Sequence, residues 1–160
     1  LTRGIVDWHT HPATCLNKKT CTIGLPSPAD LSNVAMGVSM GNQAHLVYSS
    51  EGTYTIQMDH LQIRRLLGDG AFAREYPKYV YDETTKIFSK YGKIPATMRK
   101  NGKLFTASSQ AAFYARFSRE YIQRAHDLGF IIRLFQGDAL PSVYIGFQCG
   151  NNGKELAMDL

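Results

Sequence analysis

The sequence predicts a mixed α/β fold, a sheet packed by helices. Three observations carry this. Short β-branched and aromatic runs at residues 4–9, 45–49, 53–58, 130–135 and 143–148 read as strands. Stretches with apolar residues three or four apart lie between them and read as helices. Their order is strand, helix, hairpin, helices, then two strands, the layout of one sheet covered by helices.

The first run, Gly4 to His9, reads as a buried strand. Side chains two apart on a strand point the same way, so His9 and His11 would leave its end together, about 6–7 Å apart along the chain. Two imidazoles so placed can converge on one metal ion. Asp7 is expected to point away from them, and Trp8 to be core. Pro12 has no backbone donor and would end the ladder. Residues 13–26 read as a polar loop. Ser27-Pro28-Ala29-Asp30 then opens a helix, with Ser27 as N-cap, Pro28 at the first helical position and Asp30 as the capping-box acid. Leu31, Val34, Ala35 and Val38 follow at helical spacing, and Gly41-Asn42 is the stop.

His45–Ser49 and Thr53–Met58 flank Ser50-Glu51-Gly52 and predict a hairpin. Asp59 is expected to cap a short helix through Leu67, ended by a turn at Gly68-Asp69-Gly70. Residues 71–107 are the least decided, with a helix expected over Tyr79–Tyr91 and ended by Gly92. The longest helix is expected from Ser108 or Ser109 to about Leu128, with Phe113, Phe117, Tyr121 and Ala125 as its apolar stripe and Gly129 as its stop. His45, His60 and His126 read as ordinary residues of a strand start, a helix start and a helix end.

At 160 residues the chain has the length of one domain. Apolar residues are 44% and charged residues 19%, a balance that argues against disorder. No apolar run reaches the ~18 residues of a membrane helix, and no signal-peptide pattern opens the chain. Leu1 is not an initiator methionine, which points to a processed product with sequence upstream. The net charge of +5 is spread over separate short groups such as Lys18-Lys19, Arg64-Arg65 and Arg99-Lys100. That pattern favours ordinary solvated faces over a nucleic-acid footprint. Three cysteines, Cys15, Cys21 and Cys149, make no disulfide framework, and the odd count fits a reducing compartment, cytoplasmic or nuclear. Cys15 and Cys21 could pair, bind a second metal or be idle thiols. Their spacing exceeds that of zinc knuckles, which favours the last.

His9, His11 and Asp30 are a three-ligand zinc set with the fourth position open to water. The segment His9-Thr10-His11-Pro12 followed by Ser27-Pro28-Ala29-Asp30 resembles the H-x-H-P … S-x-x-D motif of the JAMM (MPN+, Mov34) metalloproteases. The resemblance extends over roughly residues 3–58: the apolar strand Gly4 to Trp8, the helix start Leu31-Ser32-Asn33, and the hairpin from His45 to Ile56. Residues 59–160 look like a divergent helical and strand extension completing the domain. The resemblance implies zinc held by His9, His11 and Asp30, Ser27 as the oxyanion-stabilising residue, and hydrolysis of an isopeptide or peptide bond to ubiquitin or a ubiquitin-like modifier. It equally admits a catalytically impaired structural subunit, a processed piece of a larger protein held with other chains. Two departures stand out. The loop between His11 and Asp30 holds 18 residues, against ten or so in the family. The family's general-base glutamate lies on a strand well upstream, whereas only eight residues precede His9 and none is glutamate.

Overall fold

The computed structural model describes residues 5–11, 15–17, 20–21, 24–49, 52–100, 107–145 and 156–159. Pro12, Ser50, Glu51 and Cys149 lie outside them, and so do the side chains of Cys15, Cys21 and Phe113.

A four-stranded mixed sheet forms the framework, in the order β1-β4-β5-β6. Strand β1 (Val6–His11) runs parallel to β4 (Ala44–Ser49). Strands β5 (Gly52–Met58) and β6 (Phe130–Phe135) continue the sheet antiparallel. The parallel pair is joined through helix α1 (Pro28–Gly37), which a 3-10 turn (Val38–Met40) extends to Gly41 at φ 86°. Within the predicted loop, β2 (Cys15–Asn17) and β3 (Thr20–Cys21) form a small antiparallel ladder in which Cys15 and Cys21 are register partners. The eighteen-residue stretch between His11 and Asp30 therefore carries its own backbone pairing.

Helix α2 (His60–Gly68) begins where Asp59 accepts the Gln62 N–H at 2.8 Å. Helix α3 (Gly70–Lys100) starts at once, because Asp69 Oδ1 accepts the N–H groups of Ala71 and Phe72 at 3.1 and 3.0 Å. The predicted turn at 68–70 is thus a single capping residue. Nor does α3 stop at Gly92. A helical glycine costs about 1 kcal/mol and an internal proline about 3 kcal/mol, and at Pro95 one ladder bond is lost. A helix of 31 residues absorbs both. Helix α4 (Ala107–Asp127) ends at Gly129, at φ 89°, as its sequence predicts. Strand β7 (Ser142–Ile145) pairs with β8 (Leu156–Asp159), which the sequence pattern did not reveal.

Register sorts the sheet's side chains between two faces. Val47, Tyr54, Ile56 and Phe130 share the helical face and pack with Leu31, Val34 and Ala35 of α1, Val80 of α3, and Phe117, Tyr121 and Ala125 of α4. Each fully buried side chain of this size stabilises by roughly 1.5–3 kcal/mol, so this continuous core holds the helices to the sheet. The opposite face buries Ala44, Leu46 and Thr55, and β7, bearing buried Val143, packs against β4 and β5.

Two expectations for β1 are corrected here. It is an edge strand, half-buried to exposed along its length, because its other side has no partner among the described residues. Trp8 is therefore not core: it is 65% exposed and meets Tyr48 edge-on at 5.8 Å.

Several basic side chains of the long helices are paired with acids. Lys78 pairs with Asp82, Lys86 and Arg124 with Glu83, and Lys90 with Glu120. No described helix is long and apolar enough to cross a membrane.

Buried tyrosines make the fold alkali-sensitive. Burial, with the charge of Asp59 nearby, pushes the Tyr76 hydroxyl up to about 12. Burial, with Asp30, pushes Tyr121 upward as well. An unfolded tyrosine ionises near 10. The neutral phenols therefore contribute fully below about pH 10, and that contribution falls as pH rises from about 10 towards 12. Denaturant midpoints should be flat between pH 8 and 9.5 and drop above pH 10, the drop being smaller in Tyr76→Phe.

Candidate metal centre

The site is built where the edge strand meets the start of α1. Residues 7, 9 and 11 alternate onto one side of β1, and the parallel register sets them beside His45, Val47 and Ser49 of β4. Asp7 thus lies on the same side as the histidines, which corrects the expectation that it points away. Strand period two admits no other result for positions two apart.

Asp30 arrives from α1. Ser27 caps the helix: its Oγ accepts the Asp30 N–H at 3.2 Å, and the Ser27 N–H donates to Asp30 Oδ2 at 2.6 Å. This reciprocal capping box fixes the Asp30 side chain, which is largely buried. Its two oxygens face the two imidazoles. Oδ1 is 3.4 Å from His9 Nε2 and Oδ2 is 3.3 Å from His11 Nε2. The two Nε2 atoms are 2.8 Å apart.

The outer ring nitrogens explain how the inner ones point. His11 Nδ1 is 3.1 Å from the Gly24 carbonyl, which can only accept, so we assign its proton to Nδ1. His45 Nδ1 is 2.5 Å from Asp7 Oδ1 and donates to that carboxylate. Its Nε2 then presents a lone pair to His9 Nδ1, 2.7 Å away, which donates. With both outer nitrogens protonated, His9 and His11 turn bare Nε2 lone pairs towards the Asp30 carboxylate. Burial lowers the His9 pKa below 6.5, against the opposing pull of Asp30, and favours this neutral form.

Lone pairs converging at such distances are stabilised by a cation between them. Two bonds of about 2.05 Å at the tetrahedral angle put ligand atoms about 3.3 Å apart. The two histidine–carboxylate separations match that spacing, and the histidine pair is somewhat tighter. His9, Asp30 and His45 also form a group able to hold a metal ion, with ligand atoms within 4.8 Å of one another.

All four residues singled out in the sequence, His9, His11, Ser27 and Asp30, therefore meet. Sequence reasoning missed His45. Its only signal is its register opposite Asp7, and that register exists only once β1 and β4 pair. Comparison with protein-family models, with curated proteins and with solved structures returned no match.

Proposed function

We propose that this chain is a zinc-dependent hydrolase of the JAMM type, cleaving an isopeptide or peptide bond of a ubiquitin or ubiquitin-like conjugate. One observation carries the reading: His9 Nε2, His11 Nε2 and the Asp30 carboxylate lie within 3.4 Å of one another, with their outer partners leaving lone pairs inward. Two nitrogens and one carboxylate oxygen suit zinc and leave a position for water. Bound zinc would lower the pKa of that water to near neutrality and polarise the scissile carbonyl.

The protein groups have separable tasks. His9 and His11 hold the cation as neutral ligands. Asp30 supplies the anionic ligand and is locked by the cap. Ser27 Oγ accepts from Asp30 and keeps its own proton, which it can donate to the oxyanion formed at the carbonyl. The resemblance to the family calls for a glutamate as general base, which the residues before His9 lack, so the hydrolase reading depends on one supplied from outside them.

A structural-subunit reading is favoured by one observation. Asp7, the carboxylate on the histidines' side of β1, is hydrogen-bonded to His45 and so is not a free general base. The two readings separate in one assay. Zinc-loaded chain incubated with an isopeptide-linked ubiquitin dimer should release monomer, lose activity with chelator and regain it with zinc. Ser27→Ala should keep its zinc and lose about 10²–10³-fold in kcat. Stoichiometric zinc without turnover on conjugates or peptides would favour the structural subunit.

A further inference from the structure

Resting on the metal site proposed above, we infer that His45, held by Asp7, is a positioning residue for the ligand His9. The three groups form a continuous line from carboxylate to imidazole to imidazole. Asp7 Oδ1 accepts from His45 Nδ1 at 2.5 Å, and His45 Nε2 accepts from His9 Nδ1 at 2.7 Å. The His9 and His45 rings lie 4.8 Å apart at 35°.

Each link does physical work on the next. The Asp7 oxygen accepts the His45 Nδ1 proton, so it sets His45 in the tautomer whose Nε2 carries a lone pair. That lone pair requires the proton of His9 at Nδ1. His9 Nε2 is then left bare and aimed at Asp30. Without His45, the His9 proton is free to move to Nε2, where the Asp30 oxygen 3.4 Å away would attract it. That tautomer cannot bind a metal through Nε2. A carboxylate behind a ligating imidazole also raises its basicity. Here the carboxylate acts through an intervening histidine.

His11 offers an internal comparison. A single backbone carbonyl, that of Gly24, fixes it at 3.1 Å. Backbone cannot be removed by substitution, but Asp7 and His45 can. The Asp7 side chain is also 56% exposed, so its removal leaves the core intact.

The test is zinc affinity of the full chain by competition with a chromophoric chelator, read with the ¹⁵N shifts of the His9 ring before zinc is added. His45→Ala and Asp7→Ala should each bind one zinc per chain about 10–100-fold more weakly. Their His9 Nδ1 and Nε2 shifts should move towards a mixture of tautomers. His45→Gln and Asp7→Asn, which keep an accepting oxygen, should recover most of the affinity. If His45→Ala fails to fold, Asp7→Ala carries the same readout. Affinities within twofold of wild type in the alanine variants, with an unchanged His9 tautomer, would overturn the inference while leaving the metal site standing. Complete loss of zinc from His45→Ala, equal to that in His9→Ala, would make His45 a ligand and also overturn a positioning role. A wild-type chain that takes up no zinc would overturn the site itself, and this inference with it.

Discussion

Asp30→Asn and Asp30→Ala should part company: both lose the metal, and only the alanine loses stability. On the proposed reading Asp30 has two jobs, helix cap and metal ligand. Its Oδ2 accepts the Ser27 N–H at 2.6 Å and closes the capping box, while both oxygens face the histidine Nε2 atoms at 3.3–3.4 Å. Asparagine keeps an acceptor for Ser27 and gains an NH₂ that can donate to the imidazole lone pairs. In metal-free protein it should match or exceed wild type in denaturant midpoint. Alanine leaves the Ser27 N–H unpaired and should cost about 1 kcal/mol. Zinc affinity should fall more than about 100-fold in both, beyond what loss of an outer partner produces. Equal destabilisation of the two variants with zinc retained would show that Asp30 is a cap and nothing more.

The largest effect on the fold is expected at Gly52, where β5 begins beside the end of β6. Its φ is 139°, a conformation that L side chains rarely adopt. A Cβ there would stand 2.2 Å from the Phe135 carbonyl oxygen and 3.1 Å from its carbon. Neither atom belongs to a side chain that could swing aside, so the β5–β6 pairing itself must give. Gly52→Ala should cost about 3 kcal/mol or more. For a chain of this length that is a fall in Tm of about 6–12 °C. Gly41→Ala is the control, since its φ of 86° is also positive but nothing lies within 4 Å of its Cβ position. A Gly52→Ala protein that melts no lower than Gly41→Ala would contradict the pairing described here.

How much of this was legible in the sequence depends on how local each feature is. The α1 start was readable because capping is a four-residue affair: Ser27, Pro28 and Asp30 declare it, and the hydrogen bonds follow. The ends at Gly41 and Gly129 were readable for the same reason. What failed depended on pairing. Trp8 reads as core when β1 is imagined inside a sheet, and it is exposed because β1 lies at the edge. The β2–β3 ladder and β8 needed partners that no short pattern announces. Gly92 and Pro95 carry strong local stop signals, yet α3 runs past both.

The candidate site divides in the same way. His9 and His11 were readable from strand period, and Asp30 from the cap. Their meeting requires that β1 lead through α1 into β4, and that chain path also delivers His45. The second row of the site was therefore invisible until the parallel register, Asp7 with His45, was in hand.

His9, His11 and Asp30 are proposed to form one cation site. Zinc content per chain, measured by mass spectrometry after reconstitution and desalting, tests it most directly. Wild type should hold one equivalent and His11→Ala almost none, with both chains equally folded by circular dichroism. A wild-type chain that emerges without zinc, or a His11→Ala chain that keeps its full equivalent, would contradict it.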